Sequence, residues 1–404
     1  MLRKGRGSNQ MQDISTLNVK QAPAADPFQT NAFQDLLDDI RSRRAEIEEL
    51  RHVPQDLIAR MKAVGIYRAV LPTHLGGMQV SLMTFLRMLE RISAADGSVG
   101  WVASFGGTTY LAALPMHRLR EIYAHDTDVA FAGALFPVHR AERVDGGLRI
   151  NGRWNFASGC MGADLLGVGV TVDGDPVTAQ GTPIPRLVVL KPEQVTIADN
   201  WQVVGLCGTG SHDLIVDNVV VPEDWSFIRG GDPLSLTEPA FRFPALARAA
   251  VFHATVGLGV AREALDELIA LSGTKTSITG APSPGDRAHV QRGLALAEAA
   301  LGSARAYLYS RVEAVWDTLV AGGNVDPAAT NLVRLAAINA ATVSAHVTRT
   351  VCKLVGTSTI RLSSPLQRFM RDAHAVSVHA FLGEHHLESA GRILLGMKPL
   401  PGYP

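Results

Sequence analysis

Between residues 31 and 65, apolar side chains at Phe33, Leu36, Leu37, Ile40, Ile47 and Leu50 recur every three to four positions among charged ones. That is the rhythm of an amphipathic helix. Pro54 stands where a second helix would start, since its missing N–H costs nothing there. After a turn signal over 72–77, Ser81 opens a helical run over 82–95. Asp96-Gly97-Ser98 interrupts it, and a further run follows over 99–114.

The pattern changes near Asp126. Residues 129–134, 148–156, 165–172, 187–190 and 214–221 are short apolar or β-branched runs separated by Gly, Pro, Asp and Asn clusters. This spacing predicts an antiparallel β module. From Pro244 onward the period lengthens again, and 245–271, 287–321, 327–355 and 364–395 predict four helices packed as an antiparallel bundle. Small residues such as Ala297, Ala300 and Ala304 permit close helix approach and suit an oligomer interface. The expected division is therefore a loose tail over 1–27, a helical domain over 28–125, a β domain over 126–235 and a four-helix bundle over 236–404.

Composition narrows the function classes. Thirty-eight basic side chains balance thirty-eight acidic ones, so no global field favours nucleic acid or an anionic membrane. The three cysteines are far apart without a Cys-x-x-Cys pair, which suits reduced thiols in a cytoplasmic protein. The basic start, Met1 to Gly7, lacks the apolar run of a secretory signal, and apolar runs elsewhere are too short to span a bilayer.

Three stretches carry candidate chemistry. In Asn151-Gly152-Arg153-Trp154-Asn155-Phe156-Ala157-Ser158-Gly159, an extended backbone would put Trp154, Phe156 and Ser158 on one side. Two aromatic faces and a hydroxyl would then meet a flat, π-rich ligand; a plain β core explains the same spacing. The loop 205–213, Gly-Leu-Cys-Gly-Thr-Gly-Ser-His-Asp, offers freed backbone amides and hydroxyls at Thr209 and Ser211. It lacks the Lys of a phosphate-binding P-loop. Near the C-terminus, His374 and His379 would lie about 140° apart on a helix, so one at most faces a given pocket. His379 could serve there as a general base.

Glu384, His385, His386 and Glu388 invite a metal reading, yet no second Glu-x-x-His contribution accompanies them, and no metal is expected. A Gly-x-Ser-x-Gly elbow and a dinucleotide fingerprint are both missing. Trp101, with Ser104, Gly106 and Gly107 after it, marks a place where reduced bulk lets a ligand or a neighbouring helix approach.

The order helices, β module, bundle, together with Trp-x-Phe-x-Ser-Gly, Gly208-Thr209-Gly210-Ser211-His212-Asp213 and the segment Pro365-Leu366-Gln367-Arg368 to Arg371-Asp372, resembles the acyl-CoA dehydrogenase fold over about residues 30–400. More narrowly, the chain resembles the flavin-dependent monooxygenases of that superfamily, the oxygenase components of two-component systems. The resemblance implies reduced FMN or FAD delivered by a separate flavin reductase, and dioxygen as co-substrate. It further implies hydroxylation of an aromatic, phenolic or similar small molecule through a flavin C4a-hydroperoxide, by a homotetramer that engages neither nucleic acid nor membrane. By the same resemblance, His379 and Ser158 are the catalytic pair. Cofactor-binding residues are expected at Trp154, Phe156, Ser158, Thr209, Gly210, Ser211, Arg287 (reaching the flavin phosphate from a neighbouring subunit) and Arg371, the last also forming a structural pair with Asp372. Trp101 is expected on the substrate side. An acyl-CoA dehydrogenase with bound FAD, using Glu384 as base, and a catalytically silent flavin-binding scaffold are the alternatives.

Overall fold

The computed structural model of the chain describes residues 26–106, 110–178, 181–230, 234–274, 282–400, 402 and 403. Nearly all of the expected tail over 1–27 lies outside them, as do Gly107 and part of the loop 272–285. Six helices come first: α1 (Asn31–Ser42), α2 (Arg44–Leu50), α3 (Gln55–Ala63), α4 (Leu82–Ala95), α5 (Gly97–Ser104) and α6 (Met116–His125). Ser81 caps α4 by accepting the Thr84 N–H at 3.1 Å. Asp96 caps α5 by accepting those of Ser98 and Val99 at 2.9 and 3.1 Å. The run expected over 99–114 is shorter in the structure, because α5 ends at Ser104.

Seven strands follow: β1 (Phe131–Val144), β2 (Gly147–Trp154), β3 (Leu165–Val172), β4 (Arg186–Leu190), β5 (Thr196–Ile197), β6 (Leu214–Val221) and β7 (Ser226–Ile228). They form one sheet in the order β5-β6-β2-β1-β3-β4-β7. The expectation of a purely antiparallel module needs correction, since β1 and β3 are parallel. β2 hairpins back along one side of β1, and the connection 155–164 then crosses beneath the Phe131 end of β1 to begin β3 on its other side. A connection between strands at the same end of a sheet needs no long crossover helix.

Alternation along these strands feeds two cores. Phe131, Leu165, Leu187 and Val189 join the helical core. Ala132, Leu166, Val168 and Val188 pack instead with Leu148, Ile150, Trp154 and Leu214 in a second core belonging to the sheet and the segment after β2.

Beyond the sheet come α7 (Pro239–Arg242), α8 (Ala245–Thr274), α9 (Ala288–Val320), α10 (Pro327–Val355), α11 (Pro365–Ser377) and α12 (His386–Leu394). α10 packs against α8, α9 and α11, while α8 also packs on α4 and α5. The single helix expected over 364–395 is two helices with a break between Ser377 and His386. At that break the Ser377 hydroxyl and the Val378 N–H both donate to His374 O, at 2.8 and 3.2 Å, closing the last turn of α11. Among the described residues, no helix is long and apolar enough to cross a membrane.

Candidate active site

The crossing segment 155–164 carries the first half of the site. β2 stops at Trp154, and Phe156 turns the chain with φ +68°, a left-handed conformation that is costly for an aromatic residue. This kink overrides the extended spacing expected of Trp154, Phe156 and Ser158. Trp154 is wholly buried in the sheet's own core, its indole N–H donating to Gly169 O at 2.7 Å, so it presents no face to a ligand. Phe156 is swung outward and is 69% exposed, edge-on to Trp201. Ser158 points the other way, into the molecule.

Around Ser158 the loop 205–213 closes. The Gly159 N–H donates to Thr209 O at 2.8 Å and the Ala157 N–H to His212 O at 3.0 Å, pinning loop to crossing segment. Ser158 Oγ lies 2.7 Å from Ser211 Oγ, and Ser211 Oγ lies 2.7 Å from Thr209 Oγ1, which donates to Leu206 O at 2.9 Å. Gly210 supplies the turn at φ +54°. Gly208 lies so close to Ile47 that a Cβ would collide with it. The loop is thus held by contacts, and its hydroxyls converge on Ser158.

The second half comes from the helices. Trp101 of α5 donates its indole N–H to Ser158 Oγ at 3.1 Å. The same ring stacks on His253 of α8 at 4.1 Å and 11°, and meets His379 edge-on at 5.0 Å. His379 sits in the turn after α11, not on a helix face, and its ring lies 4.7 Å from that of His253. Phe381 completes the group, parallel to His253 at 5.9 Å. Trp101 therefore joins the expected Ser158 and His379 in a single site.

Burial governs the charge states here. His379 is pushed down to about 4 by desolvation, so its ring is neutral at physiological pH. The Phe381 N–H donates to His379 Nδ1 at 3.4 Å, which puts the neutral ring's hydrogen on Nε2. His253, 2% exposed, is driven well below its ordinary value by burial and by the charge of His379. Among the described residues, its Nδ1 is buried without a hydrogen-bond partner. Such an orphan is costly and is satisfied when a ligand supplies the missing group.

Sequence reasoning passed over His253, Phe105, Tyr110 and Phe381. For His253 a signal existed, a lone imidazole in the apolar run Ala249-Ala250-Val251-Phe252-His253-Ala254. Phe105 and Tyr110 stack at 5.9 Å, and Tyr110 continues to Phe131 at 5.8 Å, extending the aromatic surface away from Ser158.

Arg371 is not free for a ligand. It donates to Gln367 Oε1 at 2.7 Å, to Val204 O, and to Glu48 at 2.6 Å, clamping the loop to α2 and α11. Asp372 accepts the Leu206 N–H at 2.6 Å. Arg287, at the start of α9, donates to Pro282 O at 2.9 Å, and among the described residues no contact links it to Ser158 within one chain. Glu384, the base of the dehydrogenase alternative, is exposed and outside the aromatic cluster.

A flavin suits this arrangement. Phe156, edge-on to Trp201, and Val204 are exposed apolar side chains that a flat ring would cover, and Ser158 follows Phe156 by two residues with its hydroxyl tied to the loop 205–213. A family model described as "Acyl-CoA dehydrogenase, N-terminal domain" matches residues 28–119, and one described as "Acyl-CoA dehydrogenase, C-terminal domain" matches 251–384. The indole-3-acetate monooxygenase of Pseudomonas putida is 47% identical over 393 residues, covering 96% of this chain and 100% of the relative. A flavin-dependent monooxygenase oxygenase subunit, HsaA, of Rhodococcus jostii (strain RHA1) is 30% identical, covering 85% of this chain and 92% of its own. The crystal structure of the 3-HSA hydroxylase from Rhodococcus sp. RHA1 superposes with a TM-score of 0.82 at 26% identity, covering 93% of this chain and 99% of that one.

Proposed function

Since this chain belongs to the acyl-CoA dehydrogenase superfamily, in its flavin-dependent monooxygenase branch, and is the oxygenase component of a two-component system, we propose that it oxygenates an indole-type arylacetate. Its flavin is reduced by a separate reductase. The observation that carries the substrate reading is the cluster of Trp101, His253, Phe381, Phe105 and Tyr110, whose rings pack on one another beside Ser158 and give a flat bicyclic substrate an aromatic neighbourhood. The 47% identity with an indole-3-acetate monooxygenase supports the same ring.

A cation supports the acid end. Arg248 is 7% exposed and has no carboxylate partner among the described residues, and burial lowers it to about 10. Three carbonyls, of Ala240, Phe241 and Phe243, receive its hydrogen bonds. Burial raises the Tyr110 hydroxyl while the charges of Arg229 and Arg248 lower it, so positive potential reaches the Tyr110 end of the aromatic surface. A substrate carboxylate would be drawn there.

Reduced flavin, when bound, supplies the electrons that activate dioxygen, one oxygen atom going to the substrate and the other to water. Ser158 would meet the ring's polar edge, backed by Thr209, Gly210 and Ser211 of the loop behind it, with Phe156 at its face. His379, neutral and carrying its hydrogen on Nε2, offers that N–H as a hydrogen-bond donor to an oxygen in the site, and at about 4 it is a weak base toward a phenol. The apolar rings exclude water from the reacting atoms. Leu362, Leu394 and Leu395 are exposed large apolar residues, and a homotetramer would cover such a surface.

The test supplies the protein with chemically reduced flavin, indole-3-acetate and ¹⁸O₂. A product one labelled oxygen heavier supports the reading, whereas recovery of unlabelled indole-3-acetate overturns the substrate. Indole-3-acetamide, lacking the charge, should bind at least about tenfold more weakly.

A further inference from the structure

The hydroxyl chain beside Ser158 has a direction, and its ends set that direction. Thr209 gives its only hydrogen to Leu206 O, so in its contact with Ser211 it accepts. Ser211 therefore donates to Thr209, and in its contact with Ser158 it accepts. Ser158 must donate to Ser211. At the other end the Trp101 indole N–H, which can only donate, points at Ser158 Oγ. A hydroxyl has one hydrogen and two lone pairs, so Ser158 retains one lone pair and no hydrogen for a ligand.

We propose that Thr209 and Ser211 are positioning residues that lock Ser158 as a hydrogen-bond acceptor, and that this lock makes the site select reduced over oxidised flavin. The inference rests on the flavin assignment above. Two-electron reduction turns flavin N5 from a lone-pair acceptor into an N–H donor, while the ring carbonyls accept in both states. With flavin N5 set against Ser158, a serine without a free hydrogen would satisfy the reduced ring and set lone pair against lone pair with the oxidised one. In a buried site that unmade bond is costly. The consequence suits an oxygenase that receives its flavin reduced and must let it go oxidised.

Breaking the chain should free the Ser158 hydrogen. In Ser211→Ala the acceptor for that hydrogen is gone. In Thr209→Val, Ser211 loses its outlet and turns to donate to Ser158, with the same result. Thr209→Ser keeps every bond. The measurement is the anaerobic dissociation constant of reduced and of oxidised FAD, and likewise of FMN, for the full-length protein and each variant.

Wild type and Thr209→Ser should share a strong preference for the reduced form. Ser211→Ala and Thr209→Val should bind oxidised flavin more tightly, so that the preference falls about tenfold. A gain in affinity is not what damage to the fold produces. If both variants keep the wild-type ratio, or weaken both redox forms alike, the lock is overturned. If the wild type binds neither form, the flavin assignment itself falls.

Discussion

His379 owes its chemistry to where the chain leaves it. A free imidazole titrates near 6.5, yet burial against Trp101, His253 and Phe381 brings this one to about 4. The folded value lies below the unfolded one, so on acidification the unfolded chain takes up the proton first. The stability owed to the neutral ring is complete above about 6.5 and is lost as the pH falls toward 4. His379→Gln should flatten the decline of the thermal midpoint between pH 7 and 4.5, and an unaltered slope would contradict the assignment. Between pH 6 and 8 this ring should add no limb to the rate profile. His379→Ala should lower product formation about a hundredfold while the dissociation constant of reduced flavin stays put. That pair of results separates a proton-bearing residue from a wall of the pocket.

Elements, unlike single residues, were largely visible in the hydrophobic pattern. β3 and β6 fall on the expected 165–172 and 214–221, because apolar runs bounded by Gly and Asp mark their own ends. Within the crossing segment the same logic failed at one backbone angle. Alternation presumes an extended chain, and nothing in the local pattern announces that Phe156 reverses it. Trp154 consequently belongs to the sheet, and the structure assigns it a structural cost that can be measured. Trp154→Phe removes the hydrogen bond to Gly169 O and part of the ring's packing in the sheet's core, worth about 1–3 kcal/mol in denaturant unfolding. Flavin affinity should not change; a matching loss of affinity would restore Trp154 to the binding site. His379 was likewise read as helical, because periodicity cannot show that α11 stops at Ser377. The aromatic cluster was hidden for another reason. Trp101, His253 and His379 are far apart in sequence, and only the packing of α8 on α5 and α11 brings them together.

At the scale of the molecule, one junction ties the helices at either end of the chain to the loop 205–213. Glu48 of α2 receives Arg368 at 2.7 Å and Arg371 at 2.6 Å from α11, and Asp372 holds the Leu206 N–H. Burial alone would raise Glu48, but the hydrogen bond from Arg371 and the charges of Arg368 and Arg371 win and lower it. For Asp372, burial and then the charge of Asp96 prevail, and its carboxyl is raised to about 7. Its folded value lies above the unfolded one. The stability of the protonated form is therefore full below about pH 4 and is lost as the pH rises through 7. Asp372→Asn keeps an oxygen for Leu206 and has no proton to lose, so its stability should vary less between pH 5 and 8 than that of the wild type. Parallel curves in chemical denaturation at the two pH values would refute this. The junction thereby braces Leu206, the acceptor at the foot of the hydroxyl chain.

The parallel pairing of β1 with β3 sets a rule for redesign. A break at the hairpin tip, Asp145-Gly146, leaves β2, the segment 155–164 and β3 on one uncut span. A cut anywhere in 155–164 would instead sever the strap beneath the sheet to which Ser158 is fastened. In this architecture the strap that stitches the sheet together also carries Ser158, so neither can be traded independently of the other.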